Sequence, residues 1–278
     1  MRTAVSSRLL SHLPVELRTY LRRRRRRQAS FDDSFTEWAA AAQASAGYAS
    51  EVIVQSVLSS TLAVSRGEAV FERDSVTFDE ADYSWPVLSG FMWAAAASQG
   101  HLNVLDFGGA LGSTYFQNAR FLEDLASLRW CIVEQPAFVE TGRQHLANST
   151  LEFYDDLQEC LDRERPNLIH FGSSLQYLED PWQVLTLAAA SKAQFLIVDR
   201  TPVSRSDYDL VTVQEVPASI YPASYPARVF SSSLLRGILL QDWEIIAEFE
   251  SLGGEAKTTG GVAVTWQGWL CCRRTQGG

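Results

Sequence analysis

The chain has 278 residues and is short of several things. It has only four cysteines, Cys131, Cys160, Cys271 and Cys272, with no C-x-x-C pair, and four histidines scattered at positions 12, 101, 145 and 170. That excludes a disulfide scaffold and offers no metal-ligand spacing, so no metal site is expected. The cysteines read as small apolar residues on buried strands. Lysine is nearly absent, with Lys192 and Lys257 alone. No apolar run approaches the ~20 residues that a spanning helix needs. The arginine run near the start is not followed by the apolar stretch of a secretory signal, so a reducing, cytoplasmic setting is expected.

Basic charge is both scarce and concentrated. The formal net charge is −9, and six arginines stand together at Arg22–Arg27, so the remaining residues sum to −15. An acidic body with one basic knot lacks the spread basic face of a nucleic-acid enzyme. Residues 1–30 carry Leu9, Leu10, Leu13, Leu17, Tyr20 and Leu21 at helical spacing ahead of those arginines. Such a tail suits either peripheral contact with an anionic membrane surface or a solvated, fraying helix.

What is present divides into two rhythms. Residues 31–98 predict a helical cap: one helix over 35–48, a second over 50–67 with Ser50 as N-cap and Gly67 as stop, and a third over 85–100 with Pro86 in its first turn. A polar, acidic stretch separates the last two. From about residue 99, short β-rich runs alternate with helical ones. Strands are expected at 102–107, 128–134, 151–154, 167–172 and 194–199, with helices between them. Such alternation builds a parallel sheet with helices on both faces. A helix over 231–241 and two strands joined by a Gly-rich turn close the chain as an antiparallel hairpin. Residues 200–230, punctuated by Pro202, Pro217, Pro222 and Pro226, break the rhythm. Tyr221, Tyr225 and Arg228 within 217–230 make that stretch a candidate substrate lid, or else a covering loop.

The informative segment is VLDFGGALGS, residues 104–113. A strand ends at Asp106, and a turn of Gly108, Gly109, Ala110, Leu111 and Gly112 opens a helix. Glycines let the backbone approach a ligand closely, and the helix start presents unpaired N–H groups at the same place. Glu134 ends the next strand, 22 residues beyond Gly112. That is about the ~20-residue spacing at which a carboxylate reaches ribose hydroxyls. The turn fails the G-x-G-x-x-G spacing of a dinucleotide site, and Asp106 would repel a phosphate. An adenosine-type ligand carrying positive charge and no phosphate fits better, and S-adenosylmethionine has a sulfonium and an ammonium.

Seven stretches resemble, in order, a family of methyltransferases belonging to the class I S-adenosylmethionine-dependent superfamily. They are residues 67–80, 104–117, 130–142, 151–156, 173–181, 197–202 and 221–231. The resemblance implies an α/β, Rossmann-like, seven-stranded, mostly parallel sheet and methyl transfer; the cofactor turn together with the aromatic stretch 217–230 points to oxygen or nitrogen of a small molecule or glycan precursor as acceptor. It implies that Asp106 and the backbone of Gly108, Gly109, Ala110 and Gly112 hold the methionine end of the cofactor. Glu134 would take the ribose with Gln135 beside it, Asp155 and Asp156 would read the adenine, and Ser173 and Ser174 would lie near the cofactor. If the acceptor must lose a proton, a base is needed. His170, ending strand four, and Asp199, ending strand five, are the candidates. Either can instead be structural: His170 as a satisfied core histidine, Asp199 as the partner of Arg200. Tyr177 either orients the acceptor or packs on the sheet. A catalytically silent module that keeps the fold for binding is the alternative.

Overall fold

The computed structural model describes residues 30–45, 51–73, 76–78, 82–216 and 223–274. The arginine run and Tyr221 lie outside the described residues. Among the described helices none is long and apolar enough to cross a membrane.

The centre is a parallel sheet of β4 (His101–Phe107), β5 (Ser127–Val133), β6 (Leu151–Tyr154), β7 (Leu168–Gly172) and β8 (Phe195–Ser204). The closing hairpin, β11 (Trp243–Lys257) and β12 (Ala263–Arg273), joins through β12, which runs antiparallel to both β8 and β11. The seven strands therefore stand in the order β6-β5-β4-β7-β8-β12-β11. This is the expected class I methyltransferase arrangement. The order reverses between β4 and β7, and in open α/β sheets the crevice outside the carboxyl ends at such a reversal is where ligands bind.

Two apolar layers clamp the sheet. One face is covered by α2 (Glu51–Ser65), α3 (Trp85–Ala97), α4 (Ser113–Leu122) and α5 (Pro136–His145), which bury Ile53, Val57, Phe91 and Phe138 against Val104, Trp130 and Ile197. The other face is covered by α6 (Leu157–Glu164), α7 (Pro181–Ala190) and α8 (Ser232–Asp242), packed on Leu105, Ile169 and Val198. Successive strand residues point to opposite faces, and both faces here are covered. That is why β5 and β7 carry runs such as WCIV and LI rather than a strict alternation of apolar and polar residues. Helix α3 approaches closely because Gly90 faces the sheet: a Cβ there would lie 2.6 Å from Ile197 Cδ1.

Two expectations are corrected. The segment 31–98 is not wholly helical. Ser30–Phe35 is strand β1, the first helix shrinks to α1 (Trp38–Ala44), and the polar acidic stretch holds a small hairpin of β2 (Phe71–Arg73) and β3 (Val76–Phe78). The described part of the tyrosine–proline stretch, expected as a lid or a covering loop, is also strand from Ser224 on. β10 (Ser224–Ser231) pairs antiparallel with β9 (Leu210–Glu215), which in turn pairs with β1, and the end of β10 pairs with the end of β8. The period-2 signal was there, since Tyr225, Ala227 and Val229 are buried while Ser224, Pro226 and Arg228 are less so. Pro226 hid it. A proline is tolerated because β10 meets β8 only at Phe230 and Ser231, so at Pro226 the strand has one neighbour.

Candidate functional site

Strand β4 ends at Phe107, and the chain turns through Gly108 to Gly112 into α4. Three residues of the turn adopt left-handed backbone: Gly108 at φ 69°, Ala110 at φ 50° and Gly112 at φ 101°. The two glycines carry this without steric cost, and Ala110 bears some strain. There is also no room for side chains. A Cβ on Gly108 would lie 2.5 Å from Ser174 Cβ, and one on Gly109 would lie 2.7 Å from Asp106 Oδ2. Helix α4 begins with no side-chain cap.

Glu134 stands directly after β5, beside the turn. Its Oε2 accepts the backbone N–H of Gln135 at 2.6 Å, and the backbone of Ala110 bonds to the same carboxyl. Burial pushes its pKa up to about 7, opposed by those two backbone bonds, and the nearby Asp106 adds to the rise. Gln135 is exposed at the start of α5. Asp155 is exposed at the end of β6, lining an open cleft with Pro136, Val139 and Arg143. Asp156 is occupied otherwise, since its Oδ1 caps α6 by accepting the Glu159 N–H at 2.7 Å.

On the other side of the reversal, Asp106 and His170 are register partners across β4 and β7. Both are about 1% exposed. Asp106 Oδ1 lies 2.8 Å from His170 Nδ1, and Oδ2 accepts the Trp130 indole N–H at 3.2 Å. Each carboxyl oxygen thus has one partner inside the protein, so the side chain expected at a ligand's methionine end is also engaged in an internal pair on the α3-covered face of the sheet. Phe91 of α3 packs edge-on to the His170 ring at 5.6 Å.

His170 and Asp199 line one cavity of about 30 Å³ with Glu72, Ser113, Asn118 and Arg200. Asp199 is held on two sides. Its Oδ1 accepts the Ser251 hydroxyl at 2.7 Å, and Oδ2 is 3.5 Å from Arg200 Nε. Arg200, itself left-handed at φ 51°, also donates to the Gly172 carbonyl at 3.2 Å. Ser113, the first residue of α4, donates to Glu72, a buried acid on β2. Three buried polar atoms of β7 and the segment after it find no partner among the described residues: His170 Nε2, Ser174 Oγ and Gln176 Oε1. Buried polar groups are normally satisfied, and such atoms gathered at a strand-end crevice are poised for a ligand. Ser173 sits among them with left-handed φ 65°, its hydroxyl accepting from Gln176 Nε2.

The remaining expected residues lie elsewhere. None of Tyr177, Tyr225 and Arg228 lines that cavity. Tyr177 donates to Gln214 Oε1 at 3.1 Å and packs edge-on to Tyr225 at 5.9 Å. Arg228 is a structural tie. It donates to the Glu179 carbonyl at 3.0 Å, lies 3.8 Å from Asp209 Oδ2 and stacks over Trp38. Glu72, Ser113 and Trp130 escaped the sequence reasoning, which named Arg200 only as the partner of Asp199. Glu72 sits on a three-residue strand, too short to show a period. Trp130 reads as one apolar residue among several on β5, and its indole partner is not legible from spacing.

No protein-family model matches the chain, and no curated protein matches it in sequence. Among solved structures it is similar to the N-terminal domain of EvdMO1, crystallised with S-adenosylhomocysteine and D-fucose, at TM-score 0.46 and 14% identity over 77% of this chain and 97% of that one. It is also similar to a SAM-dependent methyltransferase from Methanosarcina mazei, at TM-score 0.47 and 11% identity over 69% of this chain and 99% of the other. A third is the magnesium protoporphyrin IX methyltransferase of Synechocystis PCC 6803 with bound SAM, at TM-score 0.41 and 12% identity over 82% and 100% of the two chains. A likeness this loose transfers no activity, and the functional reading stands on this chain's own residues.

Proposed function

We propose that the chain is an S-adenosylmethionine-dependent methyltransferase acting on oxygen or nitrogen of a small molecule or glycan precursor. The observation that carries this is the left-handed turn Gly108–Gly112 at the sheet's reversal, flanked by Glu134 and by the unpartnered Ser174 hydroxyl. The fit is chemical. The Glu134 carboxyl flanks the turn, and no Lys or Arg lies within it. Such a cradle disfavours the pyrophosphate of a dinucleotide and accepts a nucleoside that carries positive charge. The ordered stretches that resemble class I methyltransferases support the same reading.

S-adenosylmethionine would bring an electrophilic methyl group on a positive sulfur. The protein's part is to hold and orient. Gly108 and Gly109 leave the backbone bare for close approach, Glu134 offers two oxygens to a ribose diol, and Gln135 and Asp155 border the adenine side. Ser173 and Ser174, which follow β7, would lie near the cofactor and the acceptor's entry. Most acceleration in such a displacement can come from alignment, worth up to about 7–11 kcal/mol where reacting atoms are held in near-attack geometry.

Titration calorimetry with S-adenosylhomocysteine tests the proposal. The wild-type chain is expected to bind in the micromolar to submillimolar range, and Glu134→Ala to lose about 10–100-fold, the worth of charge-assisted hydrogen bonds. No binding at millimolar ligand refutes it. Binding without transfer of labelled methyl to any acceptor in a metabolite extract favours the silent module.

A further inference from the structure

We propose that Asp106, His170 and Trp130 form a general-base relay, in which His170 Nε2 takes the proton of an acceptor hydroxyl and Asp106 is a positioning residue rather than a cofactor ligand. Trp130 Nε1–H can only donate, so Asp106 Oδ2 is an acceptor. Asp106 Oδ1 faces His170 Nδ1 at 2.8 Å, and a carboxylate can only accept, so the imidazole carries its proton on Nδ1. In the neutral ring the lone pair is then on Nε2. That atom is buried without a partner in a residue that lines the cavity. Phe91 locks the ring from one side. On the other, Gly172 leaves space that a Cβ would fill, 2.5 Å from His170 Cε1.

The cavity is small, with room for about two waters by the usual measure, and its walls mix polar side chains with Phe71, Val87 and Leu252. A hydroxyl group fits it. An amine already bears a free lone pair and needs no base during attack, whereas an alcohol must shed a proton as its oxygen is methylated. In the step, the acceptor oxygen bonds to the methyl carbon of a methylsulfonium donor while the carbon–sulfur bond breaks and its electron pair stays on sulfur. The hydroxyl proton moves to Nε2, and the resulting imidazolium is balanced by Asp106 until it releases a proton to solvent. This inference rests on the methyltransferase reading for its reaction, but its hydrogen-bond pattern is testable without cofactor or acceptor.

The measurement is long-range nitrogen–proton NMR on the full chain labelled in histidine, with His170 identified as the signal missing in His170→Gln. Wild-type His170 is expected as the Nδ1–H tautomer. In Asp106→Asn the indole of Trp130 claims the amide oxygen, the amide NH₂ faces Nδ1, and the proton is expected to move to Nε2. A wild-type Nε2–H tautomer overturns the proposal even if the variant does not fold, as does an unchanged tautomer in folded Asp106→Asn. Calorimetry separates the two readings. Asp106→Asn is expected to bind S-adenosylhomocysteine within about threefold of wild type, and a loss above tenfold returns Asp106 to the cofactor and overturns its positioning role. Failure of the wild type to bind at all refutes the methyltransferase reading instead, whatever the tautomer.

Discussion

Glu134 offers a perturbation whose effects on stability and on binding have opposite signs. In the unfolded chain its carboxyl ionises near the ordinary 4.5, and in the fold burial raises it to about 7. Below about pH 4.5 it is protonated in both states and contributes its full stability. As pH rises towards 7 the unfolded chain gives up the proton while the folded chain keeps it, so stability falls. Above 7 the loss is complete. At about 1.4 kcal/mol per pH unit it reaches about 3 kcal/mol. Glu134→Gln keeps the shape and an oxygen for the Gln135 and Ala110 N–H groups but cannot ionise. Weaker acceptance by an amide oxygen costs back about 1 kcal/mol. The variant is therefore expected to be about 2 kcal/mol more stable than wild type at pH 8, and no more stable than wild type at pH 4.5. Urea unfolding of both proteins from pH 4.5 to 8.5, read as the difference between them, cancels the other carboxylates. The same variant is expected to bind S-adenosylhomocysteine more weakly at pH 8 by about tenfold or more, because an amide accepts from a diol less well than a carboxylate. A variant less stable than wild type at pH 8 would refute the buried-carboxyl argument, and unchanged binding would refute the ribose role.

Other outcomes follow from the same geometry. Gly112→Ala places a side chain at φ 101° and 3.3 Å from the Phe116 ring, and is expected to cost about 2 kcal/mol or more in urea unfolding, whereas Ala110→Gly relieves a strained residue and should stay within about 1 kcal/mol of wild type. The Arg129 fork holds Glu164 near a pKa of about 2 through bonds of 2.9 and 2.7 Å, so its stabilisation is present above pH 4.5 and lost as pH falls towards 2; Arg129→Met is expected to cost about 1–2 kcal/mol at pH 7, after discounting for partial exposure, and much less at pH 3. Arg228→Ala strips the half-buried Asp209 carboxyl of its cation, and a lower melting temperature with cofactor affinity within about twofold of wild type is the expected signature of a structural tie. Gly90→Ala pushes α3 off Ile197 and should cost about 1–3 kcal/mol by differential scanning calorimetry.

Local chemistry wrote much of the fold into the chain. Mostly apolar runs of four to seven residues alternating with helical patterns located β4 to β8 to within a residue or so at most ends, because a strand covered on both faces is apolar at most positions. Pro86, Pro136 and Pro181 marked helix starts, since a proline's missing N–H costs nothing in the first turn. The turn after Asp106 was legible because left-handed backbone selects glycine. Side-chain partnership was not legible. Whether Asp106 faced a ligand or His170 depended on which strand lay beside β4, and β7 arrives 64 residues later in the chain. The same holds for Arg228, whose partners come from Trp38, Glu179 and Asp209. Strand β10 was concealed because Pro226 is a local veto on strand that only the absence of a second neighbour lifts. A sequence states what each residue can donate, accept or bury. Only the packed sheet decides which groups stand within 3 Å of one another, because hydrogen bonds and ion pairs act at distances that chain spacing does not encode.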